Sequence, residues 1–405
     1  MDTKGQEGDH LLELGFPEQK YKTKMRIFII VTIILALLSI IFIILYATEK
    51  NKNGENTAPG KQEDQDKKED PDKKEDPDKK DEPEGDPLSL WNDCQLKTKL
   101  VDFVQRVTTE GHKDFVKNED RIAVFDFDGT LFQETDPVYT DYKLFKYRVL
   151  DDPDYRDKAT EEQKSVAHEI ENVMKDGIFP DGLDLRHAKA NAEIFQNMTI
   201  EETDAYTKKF LNEPAEGYNN LKRGDAFYKP MVEVVNYLKK NNFTVYIVSG
   251  SDRFTVRSAV DGKLDIPKNN IIGSEYRVIA SHQGNINGFN YTFNTTNDIL
   301  INSGELVVKN LYMNKVHHII REIGQTPLLS FGNSNGDSSM ANYVMSNKNH
   351  EGLAFMLICD DLERENGNKA KADKFKAACD ANGWISVSMK QDWKTIYGDN
   401  VTRKK

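Results

Sequence analysis

The longest hydrophobic run is Ile27 to Ala47, 21 residues without a charge, a Gly or a Pro. At 1.5 Å per residue it makes about 30 Å of helix, the thickness of a bilayer core, and predicts a transmembrane anchor. Lys20, Lys22, Lys24 and Arg26 crowd its N-terminal flank, against Lys50 and Lys52 beyond the other end. That bias predicts a single-pass membrane protein, with residues 1–26 a cytoplasmic tail and everything after the anchor extracytoplasmic or lumenal. Residues 48–87 have the opposite character. The repeat Asp66-Lys-Lys-Glu-Asp-Pro71 recurs at 72–77 and, slightly varied, at 78–83. With nothing to bury and a proline every sixth residue, this segment reads as a disordered, charged linker.

From residue 88 onward the pattern becomes that of a globular domain. Helical periodicity covers 91–110, 229–241 and 313–324, and another helix starts near 252. Short, wholly apolar runs at 121–126, 243–248, 327–331 and 353–358 read as strands, and a two-residue period around 271–300 reads as paired strands. Strands that are apolar throughout and separated by helices predict an α/β fold: a Rossmann-like parallel sheet with helices on both faces. Between the first two strands lie more than 110 residues, far more than a crossover needs. The expected division is therefore a core at 88–131 and 226–405, with 132–225 inserted as a mainly helical cap. The run from Gly383 through Trp393 to Tyr397 reads as core packing.

Composition narrows the functional classes. The chain has 405 residues and a formal charge of −12, with three cysteines. Residues 49–87 hold 15 acids and nine bases, a net −6, and residues 1–48 sum to zero. The globular part thus carries the other −6, which disfavours nucleic acid as a partner. So few cysteines make neither a disulfide scaffold nor, without CxxC pairs, a structural zinc site.

The sharpest chemical signal is Arg121-Ile-Ala-Val-Phe-Asp126-Phe-Asp128-Gly-Thr130-Leu131. An apolar strand runs out into two carboxylates two residues apart, followed by a Gly-Thr turn. In open parallel sheets ligands sit at the carboxyl ends of strands, and paired acids there suit a divalent cation with a phosphate. Asp-x-Asp-Gly-Thr is expected by chance only roughly 0.003 times in a chain of this length. Three further segments follow. Phe243-Thr-Val-Tyr-Ile-Val-Ser249-Gly250 closes a strand on a hydroxyl and a backbone N–H, both phosphate donors. Lys315 opens the helix Lys315-Val-His-His-Ile-Ile-Arg-Glu-Ile, and Lys309, just before that helix, is its rival. Leu328-Leu-Ser-Phe-Gly332-Asn333-Ser334-Asn335-Gly336-Asp337 closes another strand on an amide and an acid.

Taken in order, these segments resemble the four motifs of the haloacid dehalogenase-like phosphohydrolases, over about 230 residues. The placement of the inserted cap is similar to the phosphoserine phosphatase branch, and the stretch from Ser249 through Arg257 to Ile272-Gly-Ser-Glu resembles phosphocholine phosphatases of that branch. The resemblance implies a magnesium-dependent phosphatase acting on a small phosphorylated metabolite through an aspartyl-phosphate. Asp126 would be the nucleophile and Asp128 the acid and base. Thr130, Ser249, Gly250 and Lys315 would bind phosphate, and Asp126, Asp128, Asn333 and Asp337 the metal. Asn333 departs from the usual acid, an uncharged ligand where the family more often has a carboxylate. Glu134 stands one residue from the branch's substrate-binding Glu, and Tyr142 and Arg186 are cap candidates for specificity. Two alternatives stay open: a degenerate binding module, and a phosphotransferase using the same aspartyl-phosphate chemistry.

Overall fold

The structure, a computed structural model, describes residues 85–134 and 138–404. The apolar run 27–47 lies outside the described residues. Among those described, no helix is long and apolar enough to cross a membrane. The longest has 16 residues and is amphipathic, whereas a spanning helix needs about 20 predominantly apolar ones. The expected placement as a single-pass membrane protein is thus not supported by the described residues.

The central strand β1 (Ile122–Phe125) is buried along its whole length. It pairs in parallel with β3 (Thr244–Asp252) on one side and β6 (Leu329–Gly332) on the other. Beyond β3 lies β4 (Ile271–Ala280), parallel, and then β5 (Leu300–Val308), antiparallel to β4. On the other side β7 (Leu353–Ile358) and β8 (Ile385–Ser388) continue the parallel sheet. The order is β5-β4-β3-β1-β6-β7-β8; β2 (Tyr218–Asn219) pairs separately with β9 (Thr402–Arg403).

Alternation along β1 explains the layering. Ala123 and Phe125 enter a core cluster that also holds residues of α1 (Gln95–Thr108). Ile122 and Val124 enter a second cluster on the opposite face. Both faces are thus covered, as fully apolar strands require. Phe125 stacks on Phe331 at 4.2 Å between centroids and Phe331 on Phe355 at 5.2 Å, tying β1, β6 and β7 side by side.

Between β1 and β3 the chain forms α2 (Thr140–Lys146), α3 (Glu161–Asp176), α4 (Leu183–Ile194) and α5 (Ile200–Leu211), and then α6 (Lys229–Lys240) returns to the sheet. Capping boxes start α3, at Thr160 with Gln163, and α5, at Thr199 with Glu202. Each satisfies two backbone N–H groups that a helix start leaves free. These helices are joined to the β4–β5 hairpin by buried bonds. Asn302 Nδ2 donates to Thr203 Oγ1 at 2.9 Å, and Asn191 Nδ2 to the Tyr276 hydroxyl at 2.9 Å. After β3 come α7 (Arg253–Val260), α8 (Met313–His318, with a wider turn to Ile323), α9 (Ser338–Met345) and α10 (Lys369–Asn382).

The expected paired strands at 271–300 differ in extent. The hairpin reaches Val308, and residues 281–299 between its strands form a loop of successive short turns, one of them a 3-10 turn at Gly288–Asn290. The C-terminal run expected only to fill the core also contributes β8, because Val387 is buried and Ile385–Ser388 can extend the sheet beside β7. All three cysteines are free.

Candidate active site

β1, β3 and β6 are parallel, so the segments after them converge on one edge of the sheet. Asp126 leaves β1 while its N–H still donates to Phe331 O of β6 at 2.8 Å. Gly129 makes the turn that follows at φ +78, and a Cβ there would lie 2.0 Å from Asn333 Nδ2. Only glycine lets the first and last motifs approach this closely.

The polar core of the site is a buried charge cluster. Lys315 is wholly buried, and its Nζ donates to Asp126 Oδ1 at 2.5 Å and to Asp337 Oδ1 at 2.6 Å. Asp337 Oδ2 accepts from the backbone N–H groups of Asn333 and Ser334, both at 3.0 Å, and from Ser334 Oγ at 3.3 Å. Asp337 is therefore saturated by donors and holds the 333–334 loop. Asp128 Oδ2 accepts from Ser251 Oγ at 2.7 Å.

These groups border a cavity of about 300 Å³ lined by Asp126, Asp128, Gly250, Ser251, Lys315, Asn333 and Asp337, with Lys309, Tyr139, Asp141, Tyr142 and Asp184 among its other walls. Thr130 and Ser249 are wholly buried behind that lining. Thr130 Oγ1 lies 3.4 Å from Asn333 Oδ1, and Ser249 Oγ accepts from the Ser251 N–H at 3.0 Å. Glu134 faces a neighbouring cavity of about 390 Å³, on the far side of loop 333–335, which Tyr139 also borders. Tyr142 donates to Asp184 at 2.6 Å, whereas Arg186 binds Glu169 and the Asp181 carbonyl away from the site.

Burial dominates the electrostatics. It pushes Asp126 up to about 7, helped by the charge of Asp337 and opposed by Lys315. Asp128 is raised well above the usual carboxylate range, by burial and then by the charge of Asp141, and Asp141 itself is pushed up to about 6 by burial. Burial also lifts Glu134 to about 7. The carboxylates outnumber the lysines, so ionising all of them leaves negative charge uncompensated.

That excess, together with Asn333, tests whether a divalent cation fits. One end of the Asn333 amide lies 3.0 Å from Asp128 O and 3.2 Å from Asp126 Oδ2. With its NH₂ turned inward the amide donates to both. With its oxygen turned inward, three oxygens converge with no donor among them, the arrangement a hard cation satisfies. Among the described residues no three His, Cys, Asp or Glu side chains are grouped to hold a metal. The donors here are instead a carboxylate, a main-chain carbonyl and an amide, and they fit magnesium.

Spacing did not single out Asp141, Ser251 or Asp184. Asp141 sits in a helix turn with no motif around it, and Ser251 was overshadowed by Ser249. A strand carried four residues further than 248, to Asp252, is the signal that would have favoured Ser251.

A parallel sheet with an Asp-x-Asp edge, a buried lysine and an Asn/Asp loop defines a hydrolase-type site at strand ends. Comparison with known families agrees: residues 121–282 match the model of haloacid dehalogenase-like hydrolases. No curated protein matches the chain. Among solved structures, it is similar to a conserved protein of unknown function from Anaerococcus prevotii DSM 20548, at 15% identity and TM-score 0.45, covering 72% of this chain and 91% of that one. It is also similar to cytosolic 5'-nucleotidase IIIB bound to cytidine, at 14% identity and TM-score 0.44, covering 74% and 86%. A phosphoserine phosphohydrolase-like protein from Francisella tularensis subsp. tularensis SCHU S4 is a third, at 14% identity and TM-score 0.33, covering 58% and 87%.

Proposed function

We propose that the protein is a magnesium-dependent phosphatase of small phosphomonoesters working through an aspartyl-phosphate. The observation that carries this reading is the buried pair Asp126 and Asp128, with Lys315 clamped between Asp126 and Asp337 beside the Asn333 amide. An Asp126 oxygen would attack phosphorus in line as the bond to the leaving oxygen breaks. Asp128, held by Ser251 and with its proton favoured by burial, would give that proton to the leaving alcohol. The resulting carboxylate would then take a proton from water, whose oxygen attacks the same phosphorus. The acyl–phosphate P–O bond breaks, releasing inorganic phosphate and restoring Asp126.

Lys315 keeps Asp126 oriented and partly offsets its repulsion from the phosphate. Magnesium, held by Asp126, the Asp128 carbonyl and Asn333, would supply charge neutralisation for the phosphoryl oxygens. Asp337, saturated by Lys315 and the loop N–H groups, would orient these ligands without binding the metal itself. The Gly250 N–H, at the cavity wall, would donate to phosphate.

The test is hydrolysis of an aryl phosphate by the full chain, with magnesium, with chelator, and with Asp126→Asn. Turnover should require both magnesium and Asp126, and the variant should stay folded with activity down at least about 1,000-fold. Undiminished turnover by Asp126→Asn would sink the assignment.

A further inference from the structure

Among the described residues two lysines line the catalytic cavity, and one of them, Lys315, is committed to protein carboxylates. Lys315 spends two of its three N–H groups on Asp126 and Asp337. Lys309, which directly follows β5, lines the same cavity half-buried, and among the described residues no carboxylate lies within 4.0 Å of its ammonium. Its charge is nonetheless felt at Asp128 and Asp141.

The backbone beneath Lys309 is fixed. Its carbonyl accepts from the Leu311 N–H at 3.0 Å and from Asn314 Nδ2 at 2.9 Å. The next residue, Asn310, is wholly buried. It donates from Nδ2 to Ser249 O at 2.9 Å and from its N–H to Ser274 Oγ at 3.0 Å, and its Oδ1 meets His318 Nδ1 at 2.7 Å. Leu311 lies over Gly250, where a Cβ would come within 2.6 Å of Leu311 Cδ2, and the Tyr312 N–H donates to Gly336 O at 2.8 Å. This loop is therefore tied to the ends of β3 and β6 together. An unpartnered cation on a rigid base in a water-accessible, acid-rich cavity is placed to receive an anion from a ligand.

We infer that Lys309 is a substrate-binding residue whose ammonium takes a non-bridging phosphoryl oxygen on the Asp128 side, while Lys315 stays with Asp126 and Asp337. The inference rests on the phosphatase reading. It divides between two lysines the roles that spacing left to one. Lys315 neutralises the nucleophile and its loop, and Lys309 meets the incoming dianion and the released phosphate.

The experiment compares wild type, Lys309→Met and Lys309→Arg in the full chain, using an aryl phosphate as substrate and inorganic phosphate as product inhibitor. Loss of one charge-assisted hydrogen bond should lower kcat/KM and weaken phosphate inhibition together, each about 10- to 100-fold. Lys309→Arg should recover most of both. Among the described residues the side chain has no hydrogen-bond or ion-pair partner, so the melting temperature should hold, which separates binding from folding. Unchanged phosphate inhibition in Lys309→Met overturns the inference. So does a loss confined to substrates with anionic leaving groups, since Lys309 would then read the alcohol. A wild type inactive on every phosphomonoester would sink the parent reading instead. Calorimetric titration with inorganic phosphate would still decide Lys309, equal affinity in wild type and Lys309→Met overturning its role.

Discussion

Replacing Lys315 with methionine would keep the side chain's length and remove its charge from the most enclosed part of the site. The lysine is wholly buried between two carboxylates that are themselves nearly inaccessible, Asp126 at 7% and Asp337 at 1% exposure. Removing one partner of a buried ion pair costs about 3–5 kcal/mol, because the remaining charge stays desolvated. Here two carboxylates would be left facing each other, so the upper half of that range applies at pH 8. Against a typical total of about 5–15 kcal/mol, this is a large fraction of the stability.

The loss should depend on pH in a defined direction. Asp126 already has its folded pKa raised to about 7 from 3.8. Between those values the fold holds a proton that the unfolded chain has released, so stability falls as pH rises through this window. At pH 5.5 Asp126 is protonated and only one carboxylate loses its partner. The variant should then be closer to wild type, down by about 2 kcal/mol or less. Urea unfolding of the metal-free full chain at pH 5.5 and pH 8 provides the comparison. Lys315→Met combined with Asp126→Asn should recover much of the loss at pH 8. A loss below about 1 kcal/mol at pH 8, or one equal at both pH values, would refute the charge argument.

Two further substitutions probe the loop that faces Asp126. Asn333→Asp adds a charged oxygen 3.0 Å from the Asp128 carbonyl and should tighten magnesium binding at least about tenfold by calorimetry; unaltered affinity would remove Asn333 from the metal site. Gly129→Ala forces a Cβ to within 2.0 Å of Asn333 Nδ2 at a positive φ. It should destabilise the fold by about 1–2 kcal/mol or more and weaken magnesium binding; a melting temperature and magnesium affinity matching wild type would show that the two loops can separate without consequence.

Much of the core was legible in the sequence because its signals are local. Ile122 to Phe125 could only be a strand buried on both faces, and Asp126 and Asp128 had to emerge at its end. The repeats of α6 and of Lys315 to Ile323 marked helices for the same reason: one turn of spacing reports which face is buried. A two-residue period marked the near strand of the β4–β5 hairpin, but it was carried through 281–299, where the chain loops, and stopped short of the far strand at Leu300–Val308.

The details of the site were decided by tertiary structure. Lys315 and Asp126 are 189 positions apart, and only the order β3-β1-β6 brings the start of α8 beneath β1, leaving Lys309 facing the cavity. The same packing puts Ser251 against Asp128, seals Ser249 behind it, and turns Glu134 toward the neighbouring cavity. It also ties up Asp337 and leaves the Asn333 amide facing two oxygens. Hydrophobic periodicity specifies which residues are buried. Which polar atoms meet there depends on distances between loops that no short stretch of sequence encodes.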